Sequence, residues 1–330
     1  MPPQDATIQS FGQLIGQSSL AARLCAALEQ DRVAHAAIIT GPSGSGKRTF
    51  ASVYARALLC QSPGAKPCNA CPQCRKALGG NHADLHVIKP SEEGKSLGVD
   101  DARGLLHLID VKPYEGGRSV VIIENSHDLT QQAQNALLKT LEEPPEHVVI
   151  LLLAETLATL LPTILSRCSV YKMARLGQQD VIAVLRGRGY AQDERTLHAA
   201  AMADGRPGRA LELLLDEGYW TLRDKALAVL EQLVKGRKLA DGMKFTQDNR
   251  ARAGDILTIW ECTARDAAVS LAGSAAALLT GDAPGFLLRA GEDRLRRMLE
   301  ACAETRRALD SNTIYTMAMD NLLIELAGGI

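Results

Sequence analysis

Ala36-Ala37-Ile38-Ile39-Thr40-Gly41-Pro42-Ser43-Gly44-Ser45-Gly46-Lys47-Arg48-Thr49 begins in a short apolar run, passes through a glycine-rich loop and enters a helical pattern. The run Ala36 to Ile39 is uninterrupted, as a strand buried on both faces should be. Gly41 to Lys47 matches GxxxxGK in the strand, loop, helix setting that a phosphate loop needs. Gly41, Gly44 and Gly46 let the backbone, including Ser45, wrap closely around phosphates at a helix N-terminus, while Lys47 reaches the terminal phosphates. A plain glycine-rich turn is the alternative, and the strand and helix on either side argue against it. The pattern is incomplete, because the position after the lysine should be Ser or Thr to hold magnesium and here it is Arg48. Thr49 lies about 100 degrees further round the helix, so it packs or caps in place of restoring that hydroxyl. ATP is thus an expected ligand, and magnesium binding is expected to be weakened.

Two further apolar runs, Val120 to Ile123 and Val148 to Leu153, read as strands, with helical patterns at Thr49 to Leu59 and Gln131 to Glu142. Strands alternating with helices imply a parallel α/β sheet. Pro144-Pro145 stops the helix that ends at Glu142, since proline cannot continue it. The second strand runs into Glu124-Asn125-Ser126-His127, where nucleotide-hydrolysing folds carry an aspartate for magnesium and often a glutamate that activates water. Glu124 can take the first role with a longer reach. Asn125 cannot act as a base, because an amide has no proton acceptor that ionises near neutral pH. His127 beyond the strand reads more readily as a satisfied structural side chain than as a substitute base.

Four of the eight cysteines lie within fifteen residues, as Cys60-x7-Cys68-x2-Cys71-x2-Cys74. A CxxC turn can point two sulfurs at one ion, with a third and fourth completing a tetrahedron, so structural zinc is the expected occupant. Free thiols or one disulfide are the alternatives. Ser62 to Lys66 and the turn-rich stretch Gly79 to Gly98 read as loops around this element.

Across 330 residues, 46% are hydrophobic and 23% charged, which is enough for two or three cores and excludes a disordered or collagenous chain. The longest apolar run, Val148 to Ala154, is far too short to span a membrane, and Met1-Pro-Pro-Gln-Asp lacks the pattern of an export signal. A cytoplasmic protein is expected. With 37 basic against 38 acidic residues and 4% aromatics, the composition argues against tight autonomous binding of nucleic acid. Strand patterns vanish after about residue 174. Residues 177 to 217 read as short helices, with Val181, Ile182 and Leu185 on one face and Leu211, Leu214 and Leu215 on another. Longer helices follow, among them a stripe Leu295, Met298, Leu299, Cys302 and Leu309. From Thr221 onward 15 basic residues face 15 acidic ones, so the arginines there read as a solvated face and not as a DNA surface.

Phe11 with Ile15-Gly16-Gln17, His35-Ala36, the phosphate loop, the four cysteines, the run Asn135-Ala-Leu-Leu-Lys139-Thr-Leu-Glu-Glu-Pro-Pro145 and Leu165-Ser166-Arg167-Cys168 together resemble the bacterial sliding-clamp loader ATPases of the AAA+ superfamily. The resemblance covers roughly residues 8 to 217. It implies an α/β plus all-α chain: a RecA-like nucleotide-binding domain over 1–174 with a zinc module at about 60–74, a helical lid over 175–219, and a helical collar over 220–330 that builds a pentamer. It implies gamma or tau and delta subunits, the ring-shaped clamp and primer-template DNA as partners in DNA replication, no membrane, and membership of a DNA polymerase III assembly without polymerase activity of its own. Arg48, Glu124-Asn125 and Ala154-Glu155 depart from the family's hydrolysing motor subunits and favour a non-motor member with absent or very weak ATPase. A chain ending at residue 330 is expected to be shorter than tau. The alternative is a gamma-like motor. Arg167 stands where the family places an arginine finger acting on a neighbour's ATP, against a structural ion pair within its own domain. Arg209, in Gly205-Arg206-Pro-Gly-Arg209, stands where motor subunits contact the phosphates, although either arginine can be an ordinary surface residue.

Overall fold

A computed structural model describes residues 8–89, 96–98, 104, 111–115, 117–274, 279–280, 283–311 and 313–328. The stretch Gly79 to Gly98 lies partly outside these residues. The chain divides into two compact units, Met1–Gly189 with Arg206–Gly208, and Tyr190–Gly205 with Arg209–Ile330.

The first unit is a five-stranded parallel sheet in the order β2-β3-β4-β1-β5. The strands are β1 (Ala36–Thr40), β2 (Leu85–Ile88), β3 (Ser119–Ile123), β4 (Val148–Ala154) and β5 (Ser169–Lys172). β1 pairs with β4 from Ala36 opposite Ile150 to Thr40 opposite Ala154, and β3 pairs with β4 from Ser119 opposite Val148. Every residue of β1, β3 and β4 is buried, which is why these three runs read as continuous apolar stretches. β2 and β5 are the sheet edges. Leu85-His86-Val87-Ile88 and Ser169-Val170-Tyr171-Lys172 mix polar and apolar residues because only part of each strand is covered. The expected loop around Gly79 to Gly98 therefore contains a strand.

Alternate residues of the sheet feed two cores. Ala37, Ile39, Val120, Ile122, Leu151 and Leu153 pack with Phe11, Phe50 and Tyr54 on one face. Ala36, Ile38, Val121, Ile123, Ile150 and Leu152 pack with Leu137, Leu141 and Ile164 on the other. Helices α1 (Ser18–Glu29) and α2 (Lys47–Leu59) supply the first face, and α4 (Gln131–Glu142) and α5 (Pro162–Leu165) the second, with α3 (Pro72–Leu78) packed on α2. Between Phe50 and Leu59 only Ser52 of α2 is exposed. The unit ends with α6 (Gln178–Gly187), whose Val181, Ile182 and Leu185 are buried.

The second unit is helical: α7 (Glu194–Met202), most of α8 (Pro207–Leu215), α9 (Glu217–Val234), α10 (Leu239–Asp248), α11 (Ala253–Leu271), α12 (Gly285–Leu288), α13 (Glu292–Asp310) and α14 (Tyr315–Ala327). Residues 175–189 and 206–208 fall in the first unit, and 190–205 and 209–219 in the second. On α8 the expected face is out of phase: Ala210 and Leu213 are buried, whereas Leu215 is 60% exposed. The helix begins at Pro207, so its covered side runs through positions three apart from there. The α13 stripe is buried at Leu295, Met298 and Cys302, joined by Thr305, with Leu299 and Leu309 half-buried. Trp260 is fully buried in α11 and donates its indole N–H to Ala226 O at 2.8 Å.

Candidate functional site

The phosphate loop leaves the C-terminal end of β1, the edge of a parallel sheet where ligands of open α/β folds bind. Gly41 N–H donates to Ala154 O at 3.2 Å, which ties the loop's first residue to β4. Gly44 and Gly46 have φ of +74° and +91°, a left-handed backbone that glycine adopts without strain. Gly46 is the N-cap of α2, so the loop and helix meet as the motif requires. Gly208 N–H donates to Gly44 O at 2.8 Å, and a Cβ on Gly208 would fall 2.7 Å from Gly44 Cα. Only glycine fits that approach.

Within the loop, Lys47 Nζ donates to Gly41 O at 2.7 Å and Pro42 O at 3.0 Å. Burial lowers the ammonium's pKa and the Glu155 carboxylate partly offsets this. Ser45 is 5% exposed and its Oγ has no hydrogen-bond partner. Arg48 points to the end of β3, where its Nε lies 3.0 Å from Glu124 Oε1. The metal-ligand hydroxyl is thus replaced by a cation that pairs with the remaining acid. Thr49 is half-buried on the first turn of α2. Asn125 takes a left-handed backbone at φ +50°, and His127 Nδ1 accepts from Glu155 N–H at 3.4 Å. With that nitrogen engaged by backbone, the ring orders the turns after β3 and β4.

The four cysteines gather at the other end of α2. Cys60 is its C-cap and Cys71 the N-cap of α3, and all four Sγ atoms lie within 4.8 Å of one another. Zinc bound to thiolates at about 2.3 Å sets tetrahedral sulfurs about 3.8 Å apart, and Cys68 Sγ lies 3.9 Å from Cys74 Sγ. Cys71 N–H donates to Cys68 Sγ at 3.3 Å and Cys74 N–H to Cys71 Sγ at 3.4 Å, contacts that favour thiolate. The N–H groups of Cys71 and Ala70 push the Cys68 thiol down to about 6. The donor set fits zinc: Cys60, Cys68, Cys71 and Cys74 would hold the ion with no open position, so it would supply structure and no chemistry. All eight cysteines are free of disulfides.

Arg167 follows α5. Its Nη2 pairs with Glu142 Oε1 at 2.7 Å and its Nη1 donates to Thr163 O at 2.9 Å, with the side chain 34% exposed. Arg209 lies in the second unit, where Asp255 at 2.7 Å and Glu212 at 3.4 Å take its guanidinium. Arg206 belongs to the stretch beside Gly208 in the first unit. Neither the engagement of Arg48 with Glu124 nor the Gly208 to Gly44 contact is read from the sequence alone. The first depends on strand order, which sets Arg48 against Glu124, and the second leaves no trace in the sequence beyond a Pro-Gly pair.

Residues 16–177 match the family model described as DNA polymerase III, delta subunit. The chain is 36% identical over 185 residues to the DNA polymerase III subunit delta' of Haemophilus influenzae, covering 56% of each chain. It is 43% identical over 136 residues to the Pseudomonas aeruginosa delta' subunit, covering 41% of this chain and 42% of that one. It is 33% identical over 249 residues to the Escherichia coli tau subunit, covering 75% of this chain and 36% of tau. The chain thus spans about half the length or less of these curated relatives. A gamma subunit-related protein of Thermotoga maritima superposes with a TM-score of 0.43 at 18% identity, covering 92% of this chain and 98% of that one. No helix of the described residues is long and apolar enough to cross a membrane. The match to the DNA polymerase III delta-subunit family thus runs through residues 16–177, which carry the phosphate loop, the four cysteines and Arg167.

Proposed function

We propose that this chain is the delta-prime component of a DNA polymerase III clamp loader, a cytoplasmic replication factor that helps place the sliding clamp on primed DNA without itself driving the cycle by ATP hydrolysis. The observation that carries the reading is the Arg48–Glu124 ion pair. It sets a fixed cation against the only acid at the end of β3, and Asn125 beside it cannot activate water. Gamma or tau and delta subunits are the proposed partners, with a lid over 175–219 and a collar over 220–330 as the domains that assemble them. Zinc on the four cysteines holds the 60–74 segment.

In this reading Arg167 works on the neighbouring subunit's nucleotide. A guanidinium stays charged, and its planar fork can grip two phosphoryl oxygens as the terminal phosphate leaves. Arg167 is 34% exposed and its partner Glu142 49%, so a phosphate can compete for the guanidinium. Arg167→Ala in a complex reconstituted with gamma or tau and delta should lower clamp- and DNA-stimulated ATPase of the neighbouring subunit by on the order of 10³. Unchanged hydrolysis in a complex that contains the variant would refute the finger, and failure to assemble would favour a structural ion pair with Glu142.

A gamma-like motor is the second reading. The intact Gly41 to Lys47 loop and the 33% identity to tau over 249 residues support it. Steady-state hydrolysis by the purified chain at motor rates, abolished by Lys47→Ala, would establish it in place of the first.

A further inference from the structure

A phosphate loop needs positive charge against the phosphates, and most such loops share that task between the lysine and a magnesium ion held by the next residue's hydroxyl. In this chain the next residue brings a charge of its own. Arg48 Nε lies 3.0 Å from Glu124 Oε1, yet that oxygen is buried and receives no aligned hydrogen bond. Charge, not a directed bond, holds the pair together. Arg48 keeps 70% of its side chain exposed while Glu124 keeps 15%, so Glu124 anchors the base of the guanidinium and leaves its terminal nitrogens for another acceptor. Beside it, Ser45 Oγ is buried inside the loop with no partner, and the N–H groups of the first turn of α2 have no intrahelical acceptors. Lys47 meanwhile spends its ammonium on the loop's own carbonyls. Charged and polar donors thus gather along the loop and the first turn of α2.

We infer that the loop binds the phosphates of a nucleotide in metal-free form, with the Arg48 guanidinium supplying the positive charge that a divalent cation supplies in a hydrolysing site. The planar fork suits phosphate oxygens, and charge-assisted bonds to it are the strong class. A divalent ion brought in with the nucleotide would have to share Glu124 with the guanidinium, and the two cations repel. An arginine cannot activate water as a bound metal can, so the ligand would be held and not turned over. The inference rests on the loop alone and stands apart from the assembly proposed above.

The test is titration of the full chain with fluorescent N-methylanthraniloyl ATP and ADP, once in EDTA and once in millimolar magnesium. The wild-type chain should bind in EDTA as tightly as in magnesium or a few-fold tighter. Arg48→Ser, which supplies the usual hydroxyl, should weaken binding in EDTA by about tenfold and make magnesium tighten it. Glu124→Gln, which releases the guanidinium, should keep or improve binding in EDTA. Lys47→Ala should weaken binding in both buffers, and thermal melts of each variant verify folding. Tighter wild-type binding in magnesium by about tenfold or more, Arg48→Ser matching wild type in EDTA, loss of binding by Glu124→Gln in magnesium alone, or no saturable binding in either buffer would each overturn the inference.

Discussion

At one end of α2 stands a phosphate loop, at the other the first of four cysteines, and the thirteen residues between them are common to both. The thiol end has every group that its chemistry asks for: four sulfurs within 4.8 Å and backbone N–H groups turned toward two of them. The loop end has the backbone of a nucleotide site, with left-handed glycines and an N-cap in place, but its side chains carry different chemistry at Arg48, Asn125 and Glu155. The backbone of the loop is also a packing element, pinned to β4 through Ala154 and to Gly208. Its shape therefore answers to folding even where turnover is not required. The sulfurs bear on folding directly, because an ion held by them would organise a segment with few apolar residues.

Breaking the thiol end should have the largest effect. Cys71→Ser is expected to reduce bound zinc from about one per chain to well below one, since a structural site contributes on the order of 10 kcal/mol to its own segment. Metal analysis and limited proteolysis of 60–78, with the sheet intact by circular dichroism, would show it; retention of a full equivalent of zinc would mean the sulfurs are not the ligands. Gly208→Ala should come next. Its Cβ would meet Gly44 backbone at 2.7 Å, and overpacking of this kind costs about 1–3 kcal/mol, read as a lowered denaturation midpoint. A midpoint equal to wild type would show that the loop does not depend on that approach.

A control lies in the second unit, far from either chemistry in role. His198 is buried, shares a hydrogen bond at 2.9 Å with Tyr219 Oη, and is pushed down to about 3 by burial and the nearby Arg223 charge. Below its ordinary value of about 6.5 the unfolded chain takes a proton that the folded chain refuses. The associated stability is full above pH 6.5 and declines toward pH 3, by about 2 kcal/mol at pH 5. Denaturant titrations at pH 7.5 and 5 should show that extra loss in the wild type and not in His198→Phe; equal losses would exclude the histidine. Smallest of all should be Lys47→Ala, which removes two bonds to carbonyls but also a partly buried cation. A stability change under about 1 kcal/mol is expected, and a larger one would mean that the lysine is part of the fold.

The sequence reads most clearly where burial is complete. β1, β3 and β4 and the helix Gln131–Glu142 are written in unbroken apolar runs and a Pro-Pro stop, and they appear where expected. The edge strands β2 and β5 escape because half-covered residues carry no clean period. Leu214 and Leu215 mislead on α8 because leucine clusters there without marking the covered side, which Ala210 and Leu213 occupy. At the site, residue types are legible and partners are not. That Arg48 lacks a hydroxyl is visible in one dimension, but that it reaches an acid 76 positions away depends on strand order. Arg167 and Arg209 show the same limit, since each is recognisable by position while Glu142 and Asp255 emerge as their partners only in three dimensions.

Helix α2 has a consequence for anyone who maps this chain by exhaustive substitution. From Phe50 to Leu59 all but Ser52 is buried, with alanines at 51, 55 and 57 that leave no room for larger side chains. A survival screen would draw a dark band of intolerance starting at Phe50, three residues after the lysine of the loop, and running to Cys60. Such a band is the signature of a spindle clamped on all sides, and it would look the same whether or not the loop ever met a nucleotide. The exposed positions Arg48 and Ser52 lie outside it, and of these Arg48 alone can report on ligand.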